Sequence, residues 1–295
     1  MWDDLICPFD YGTLDGWGSW LSCRRCGRGY PVVDSIPTFL PTDESEEWLQ
    51  RQRQLVSLMV DSPDEAQHPW SRTLQRRGRA VEARLKEHID IGLHTKMLQV
   101  GLRGQGEIHH FQCGIRYGID PLAGVMADRG LLKWGQVRWA SARGEELPFP
   151  SQNFQAILLC DVLGCVESPE RALNETRRCL ADDGLLLITL PSRVTRGRGS
   201  RTVRKHPTSI KPLRRVNRHR VLKWCGQAGF EHVWSGNSEV ARDDESCDDS
   251  FHRDRLPAPR HCFIMRVTPK AALVDREATH TSNLKWSPAK ELADK

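Results

Sequence analysis

Residues 97–120 restrict the fold more than any other part of this 295-residue chain. A short apolar segment, residues 97–100, runs into a turn carrying Gly101, Gly104 and Gly106. A helix-length segment follows, then a second short strand that ends on an acid, Asp120. Strand, glycine turn, helix, strand and acid form the opening half of a nucleotide-binding α/β sheet. Glycine lets the backbone turn sharply and approach a ligand, and a helix start presents unpaired N–H groups. An acid about 15–20 residues beyond the glycines suits a ribose with two free hydroxyls.

The pattern continues downstream. Apolar runs predict strands at 97–100, 116–119, 137–139, 156–160, 185–190, 231–234 and 261–267. Helices are expected to start near Gly106, Pro121, Pro169 and Asn217. Such alternation gives an α/β fold, a parallel sheet with helices on both faces. The third helix has the clearest start, with Ser168 as N-cap and Pro169 as first residue. Its apolar face is Ala172, Leu173, Thr176 and Leu180, and Asp183-Gly184 is expected to end it before the next buried strand.

The first 42 residues read differently. Cys7 to Asp10 and Cys23 to Cys26 make two knuckle-like turns around a glycine- and tryptophan-rich hairpin. Paired knuckles of this spacing bring four ligands to the corners of a tetrahedron and hold Zn2+. Cys7, Asp10, Cys23 and Cys26 are therefore candidate zinc ligands, with a carboxylate at the second corner. The other reading is a metal-free ribbon held by Trp17, Trp20, Tyr30 and Phe39. Zinc fingers draw on the order of 10 kcal/mol of folding energy from their metal, so a metal-free ribbon would lean on the rest of the protein. Cys113, Cys160, Cys165, Cys179, Cys225 and Cys262 lie in or beside apolar stretches and read as buried free thiols.

Residues 43–94 are helical in character. Trp48, Leu55, Leu58 and Met59 fall near one face, and a second, charged helix carries a thin stripe of Leu74, Val81, Leu85 and Ile89. This reads as a connector packed on the main domain, or as a lid over a cofactor site. Residues 269–295 are polar and aperiodic and read as a flexible tail.

The charge balance is a slight excess, +5, but its distribution is uneven. Between Gly184 and Phe230 there is no acid, and residues 192–223 carry a dense series of arginines and lysines. Such a run attracts polyanions: RNA, phosphorylated sugars or lipids, or an acidic protein. It lacks aromatic residues that would stack on bases. It reads equally as a basic loop without a specific ligand, or as an offset to the acids between Glu239 and Asp254. No apolar run approaches the roughly 20 residues that span a bilayer, and the acidic first ten residues do not resemble a secretory leader. A cytoplasmic location is expected.

Two resemblances sharpen this reading. Leu5-Ile6-Cys7-Pro8, Leu21-Ser22-Cys23-Arg24-Arg25-Cys26-Gly27 and Tyr30-Pro31-Val32-Val33-Asp34-Ser35-Ile36-Pro37 resemble the short zinc ribbon that precedes many bacterial methyltransferase domains. The same ribbon also occurs as the stand-alone activator of tRNA methyltransferases; Asp10 departs from its pattern. Residues 97–191 resemble class I S-adenosylmethionine-dependent methyltransferases of the type 11 group. The carriers are Leu147-Pro148-Phe149-Pro150 with Phe154, the stretch from Asp161 through Val166-Glu167-Ser168-Pro169, and Leu180-Ala181-Asp182-Asp183-Gly184 with its following strand.

The second resemblance implies a Rossmann-like sheet of seven strands, the last one antiparallel. It places the methionine part of S-adenosyl-L-methionine over Gly101, Gly104 and Gly106, and the ribose on Asp120, beside Pro121. Residues 142–145, with Gly144 and Glu145, should border the adenine, and Cys160, Asp161 and Val162 should lie near the transferred methyl. Gln99 stands where the family carries an acid, Arg103 where it carries a glycine, Gln155 where it carries an acid and Cys165 where it often carries histidine. Gln99 can still hydrogen-bond but cannot counter the cofactor's ammonium. Methyl transfer needs alignment and water exclusion more than acid–base chemistry. A base is required only for a hydroxyl-like acceptor, for which Asp161 and His206 are the candidates.

The sequence thus points to a ribbon over 1–42, a connector over 43–94, a methyltransferase domain over 95–268 and a tail. The implied activity is methyl transfer to a small or glycan-related, anionic acceptor. Two other readings stay open: a degenerate, non-catalytic member that binds or activates a partner, and an RNA methyltransferase.

Overall fold

A computed structural model describes residues 4–16, 18–40, 72–101, 106–112, 114–128, 130, 132, 136–191, 216–237 and 260–268. Gly104, His206, Arg103, Trp17, Cys113, residues 43–71, most of the basic run (192–215), the acidic stretch 239–254 and the tail 269–295 lie outside these.

The chain opens with a four-stranded antiparallel sheet in the order β1 (Leu14–Asp15), β2 (Trp20–Cys23), β3 (Gly29–Val33) and β4 (Ile36–Pro37). The β3–β4 hairpin pairs Val33 with Ile36 across two residues, Asp34 and Ser35, at φ of 49° and 61°. Two left-handed residues in succession make the turn that matches strand twist, and Asp and Ser are small polar residues suited to it.

The main sheet has seven strands. In chain order they are β5 (Lys96–Val100), β6 (Ile115–Ile119), β7 (Arg138–Ala140), β8 (Phe154–Cys160), β9 (Leu180–Pro191), β10 (Phe230–Asn237) and β11 (Arg260–Val267). Across the sheet the order is β10-β11-β9-β8-β5-β6-β7. The pairs β7–β6, β6–β5, β5–β8 and β8–β9 are parallel, while β11 runs antiparallel between β9 and β10. This is the Rossmann-like methyltransferase sheet with its final antiparallel strand. The order reverses between β5 and β8, and their carboxyl ends open the crevice where doubly wound sheets bind ligands.

Two cores form because strand residues alternate between faces. Leu98, Val100, Tyr117, Ile157, Leu159, Leu186 and Ile188 face Ala172, Leu173 and Cys179 of α3 (Pro169–Cys179) and Val221 and Cys225 of α4 (Arg218–Gln227). Their neighbours Met97, Ala156, Leu158, Leu185 and Leu187 face the opposite side. There they meet Val81 and Leu85 of α1 (Arg72–Lys86) and Ala123 and Met126 of α2 (Ala123–Asp128). Leu5, Cys7, Leu21, Tyr30 and Phe39 of the N-terminal sheet belong to the first core. Cys160, Cys179, Cys225 and Cys262 are buried free thiols and Cys165 is partly buried. Burial pushes the Cys179 and Cys225 thiols up to about 12.

Two elements differ from the sequence reading. Between β5 and β6 the described residues form only a single 3-10 turn, Glu107–His110, in place of a helix. The flank of the sheet there is taken by α1, where a Cβ on Gly78 would come within 2.6 Å of the Glu107 carbonyl oxygen. The second difference is the end of α3, which stops at Cys179 rather than at Asp183-Gly184. Leu180 is fully buried and already pairs with Phe154. The next pair is Ala156 with Leu185, so Asp182, Asp183 and Gly184 form an irregularity inside β9. A turn-like triplet here marks a bulge, not a helix end.

Candidate functional site

The crevice is built from the carboxyl ends of three adjacent strands. Gly101 follows β5 at φ +77°, and a Cβ there would lie 2.8 Å from Val162 Cγ2, so only glycine fits beneath that side chain. Asp120 closes β6 and is buried at 6% exposure. Its backbone N–H donates to the Ala140 carbonyl at 3.4 Å, and its Oδ1 accepts from the Leu122 N–H at 2.9 Å. Pro121 is half-buried in the turn between them. Cys160 closes β8, and Asp161 follows at φ 56°. A left-handed aspartate is uncommon, and such backbone concentrates at functional sites. Asp161 is anchored to β9 twice: its N–H donates to the Thr189 carbonyl at 3.1 Å, and its Oδ1 accepts from Thr189 Oγ1 at 3.2 Å.

Gly144 lies beside the same strand end, where an added Cβ would sit 3.2 Å from Val100 Cγ1. Glu145 is buried, and its Oε1 accepts from the Glu167 and Ser168 N–H groups at 2.7 and 3.2 Å. That carboxylate oxygen therefore faces the start of α3, where an acid suits the helix dipole. Gly106 precedes the 3-10 turn, and its carbonyl accepts from the His109 N–H at 3.1 Å. Gln99 is wholly buried. Its Oε1 accepts from the Ile108 N–H at 2.9 Å, and its Nε2 donates to Glu107 Oε2 at 2.9 Å and to the Gly101 carbonyl at 3.3 Å. Gln155, also singled out in the sequence, instead accepts from the Lys96 N–H at 2.8 Å at the far end of β5.

Sequence reasoning missed Glu107 and its partner Arg77, which donates from Nη2 to Glu107 Oε1. Glu107 left one signal, an acid just past the glycine turn. Arg77 left none, being one cation among many on a charged helix.

The second constellation is in the N-terminal sheet. The ligand atoms of Cys7, Asp10, Cys23 and Cys26 all lie within 4.8 Å of one another. Cys7 Sγ is 3.8 Å from Cys26 Sγ, and Cys23 Sγ is 3.3 Å from Asp10 Oδ1. A tetrahedral ion with bonds of about 2.3 Å places its sulfur ligands about 3.8 Å apart. The Arg25 and Cys26 N–H groups donate to Cys23 Sγ at 3.3 and 3.5 Å, and Tyr30 Oη lies 3.0 Å from Cys7 Sγ. Asp10 Oδ2 is buried with no hydrogen-bond partner among the described residues. Hydrogen bonding by Cys7 first, then by the Gly12 N–H, holds the Asp10 carboxyl down at about 2. Burial pushes Cys7 up to about 11. Three sulfurs and one carboxylate, one of whose oxygens is orphaned, fit a borderline-soft divalent cation.

The N-terminal sheet is fastened to the main one. The Ile6 N–H donates to the Pro148 carbonyl at 3.0 Å, and near the end of β7 the Phe39 N–H donates to the Ser141 carbonyl at 2.8 Å while the Ser141 N–H donates to the Pro37 carbonyl at 2.9 Å. Asp4 sits at the amino ends of the strands, 2.5 Å from Lys96 Nζ and 2.8 Å from Arg138 Nη1, and accepts from Tyr117 Oη. Burial raises the Asp4 pKa, but hydrogen bonds from Lys96 and Tyr117 outweigh it and bring the carboxyl below its ordinary value.

Residues 98–188 match the family model described as "Methyltransferase domain". An uncharacterized protein of Mycobacterium tuberculosis is 40% identical over 78 residues, a quarter of each chain, so the match spans about a quarter of that relative's length. An uncharacterized protein of Methanocaldococcus jannaschii is 26% identical over 157 residues, 52% of this chain and 71% of the relative. Among solved structures, a Burkholderia thailandensis 1,6-didemethyltoxoflavin-N1-methyltransferase with bound substrate and S-adenosylhomocysteine superposes with a TM-score of 0.52 at 16% identity, covering 83% of this chain and 98% of that one. A chain from the complex of the Haloferax volcanii Trm112 methyltransferase activator with a candidate methyltransferase gives 0.53 at 13% identity, covering 73% and 98%. At these identities the structural likeness concerns the fold, which is that of S-adenosylmethionine-dependent methyltransferases. No helix among the described residues is long and apolar enough to cross a membrane.

Proposed function

We propose that the chain is an S-adenosylmethionine-dependent methyltransferase acting on a small or glycan-related, anionic acceptor. The observation that carries this is the convergence of Gly101, Asp120 and Asp161 at the carboxyl ends of β5, β6 and β8, beside the point where strand order reverses. Gly101 leaves room for the methionine chain, Asp120 receives the two ribose hydroxyls, and the 160–162 turn borders the methyl. The sulfonium supplies the electrophile, so the protein's task is to align the acceptor and exclude water. Asp161, held by Thr189, is the residue of this site able to take a proton from a hydroxyl-like acceptor. His206 is proposed only as a second candidate, on the basic run that would draw an anion.

The division we propose is a ribbon over 1–42, a connector over 43–94, a methyltransferase domain over 95–268 and a tail over 269–295. Cys7, Asp10, Cys23 and Cys26 would hold Zn2+ as a structural ion that pins the ribbon's two knuckles. Polyanion or RNA contact through 192–223 is part of the same proposal.

Calorimetric titration with S-adenosylhomocysteine tests the reading. Micromolar binding is expected, weakened about tenfold or more in Asp120→Ala by loss of charge-assisted hydrogen bonds. A folded protein that binds neither this ligand nor S-adenosylmethionine contradicts it. That result would favour the second reading, a non-catalytic module, for which the internally satisfied Gln99 speaks.

A further inference from the structure

The cofactor of the proposed reaction ends in an amino acid, with one ammonium and one carboxylate to be met. Gln99 stands where the resembling family carries an acid, and its carboxamide is engaged within the protein. A carboxamide has two N–H donors, and Gln99 directs Nε2 to Glu107 Oε2 and to the Gly101 carbonyl. Its oxygen is engaged by the Ile108 N–H. Gln99 is thus a strut between β5 and the 3-10 turn, and what it holds in place is an acid.

Glu107 is 2% exposed and Arg77 is 11% exposed, and the two pair through Arg77 Nη2. The guanidinium is a fork of donors. Its other prong, Nη1, is buried and has no hydrogen-bond partner among the described residues. Backbone contact fixes the position of this fork, because the adjacent Gly78 would bring a Cβ to 2.6 Å from both the Glu107 carbonyl oxygen and His110 Cβ. Any side chain at 78 would push α1 off the turn. The chain of contacts Gly101–Gln99–Glu107–Arg77 places the pair beside the glycine turn. A buried donor left unsatisfied is unfavourable, and an acceptor arriving with a ligand relieves it.

We propose that Arg77 Nη1 receives the carboxylate of the cofactor's amino-acid tail, while Glu107 supplies the negative charge for the ammonium that position 99 no longer provides. The proposal rests on the reading of the crevice as the cofactor site. A cation and an anion, already paired, match a zwitterion group for group and leave the crevice electrically balanced when it fills.

The test compares two ligands. S-Adenosylhomocysteine carries the amino-acid end; 5′-methylthioadenosine has the same adenosine and thioether without it. Wild type is expected to prefer the first. Arg77→Met should lose about 10- to 100-fold in affinity for S-adenosylhomocysteine, the scale of a charge-assisted bond, with 5′-methylthioadenosine unchanged. Arg77→Lys, which keeps the charge but not the fork, should lose less and guards against a Met variant that does not fold. A wild type that does not discriminate the ligands, or folded variants that lose both alike or neither, would overturn the proposal while leaving the crevice a cofactor site. Wild type binding neither ligand would overturn both.

Discussion

The N-terminal cluster and the strand-end crevice are two ways of bringing polar groups together. In the first, the four groups come from two knuckles close in sequence, and each knuckle is fixed by its own backbone hydrogen bonds, such as those from the Arg25 and Cys26 N–H groups to Cys23 Sγ. In the second, Arg77 and Glu107 come from a helix and a turn thirty residues apart, joined by Gln99 on a third element. Local assembly brings the carboxylate of Asp10 within 4.8 Å of three cysteine sulfurs. Distant assembly, on the proposal made above, lets Glu107 supply the charge that Gln99 does not.

The comparison breaks most easily at the cluster. If it is a structural metal site, Cys23→Ser should release the ion and loosen β2 and β3, an effect of several kcal/mol. Elemental analysis and amide exchange of these strands measure it; a variant with unchanged exchange would make the cluster metal-independent. Next in size is Phe154→Ala. Its fully buried ring lies 5.4 Å from that of Tyr117 and 4.9 Å from that of Phe149, in the core that also holds Leu5, Tyr30 and Phe39. A cost of about 3–5 kcal/mol is expected, read by denaturant unfolding. Loss of the main sheet with the N-terminal sheet left intact would show that the two do not share a core.

The smallest effect belongs to Asp4. Its pKa is lowered in the folded protein, so its stabilisation is present above the ordinary value of 3.8 and is lost as pH falls through the lowered one. Asp4→Asn should cost about 1 kcal/mol, modest because Arg138 is half exposed. The cost should vanish in strong acid. A penalty that persists there would mean that Asp4 acts by packing rather than by charge.

These differences follow what was legible in the sequence. Cys7, Cys23 and Cys26 announced their cluster by spacing, and the strands announced themselves as apolar runs, because both signals are local. The opening half of the sheet was readable in the order from Met97 to Asp120. The helix expected to start near Gly106 is a 3-10 turn among the described residues: between Gly106 and Gly114 only Ile108, Phe111 and Cys113 are apolar, too few for a helical face, and α1 fills that flank. The start of β9 was hidden because Asp182-Asp183-Gly184 looks like a turn when read alone. Arg77 was invisible since its role depends on which of several exposed and buried cations the tertiary fold turns inward.

The central claim is that the crevice at the ends of β5, β6 and β8 holds S-adenosylmethionine. Difference density from a crystal grown with saturating S-adenosylhomocysteine tests it most directly. The account predicts ribose hydroxyls on the Asp120 carboxylate, the thioether chain passing Gly101 and the tail carboxylate at Arg77. Ligand density elsewhere on the protein, or an empty crevice at saturating ligand, would contradict it.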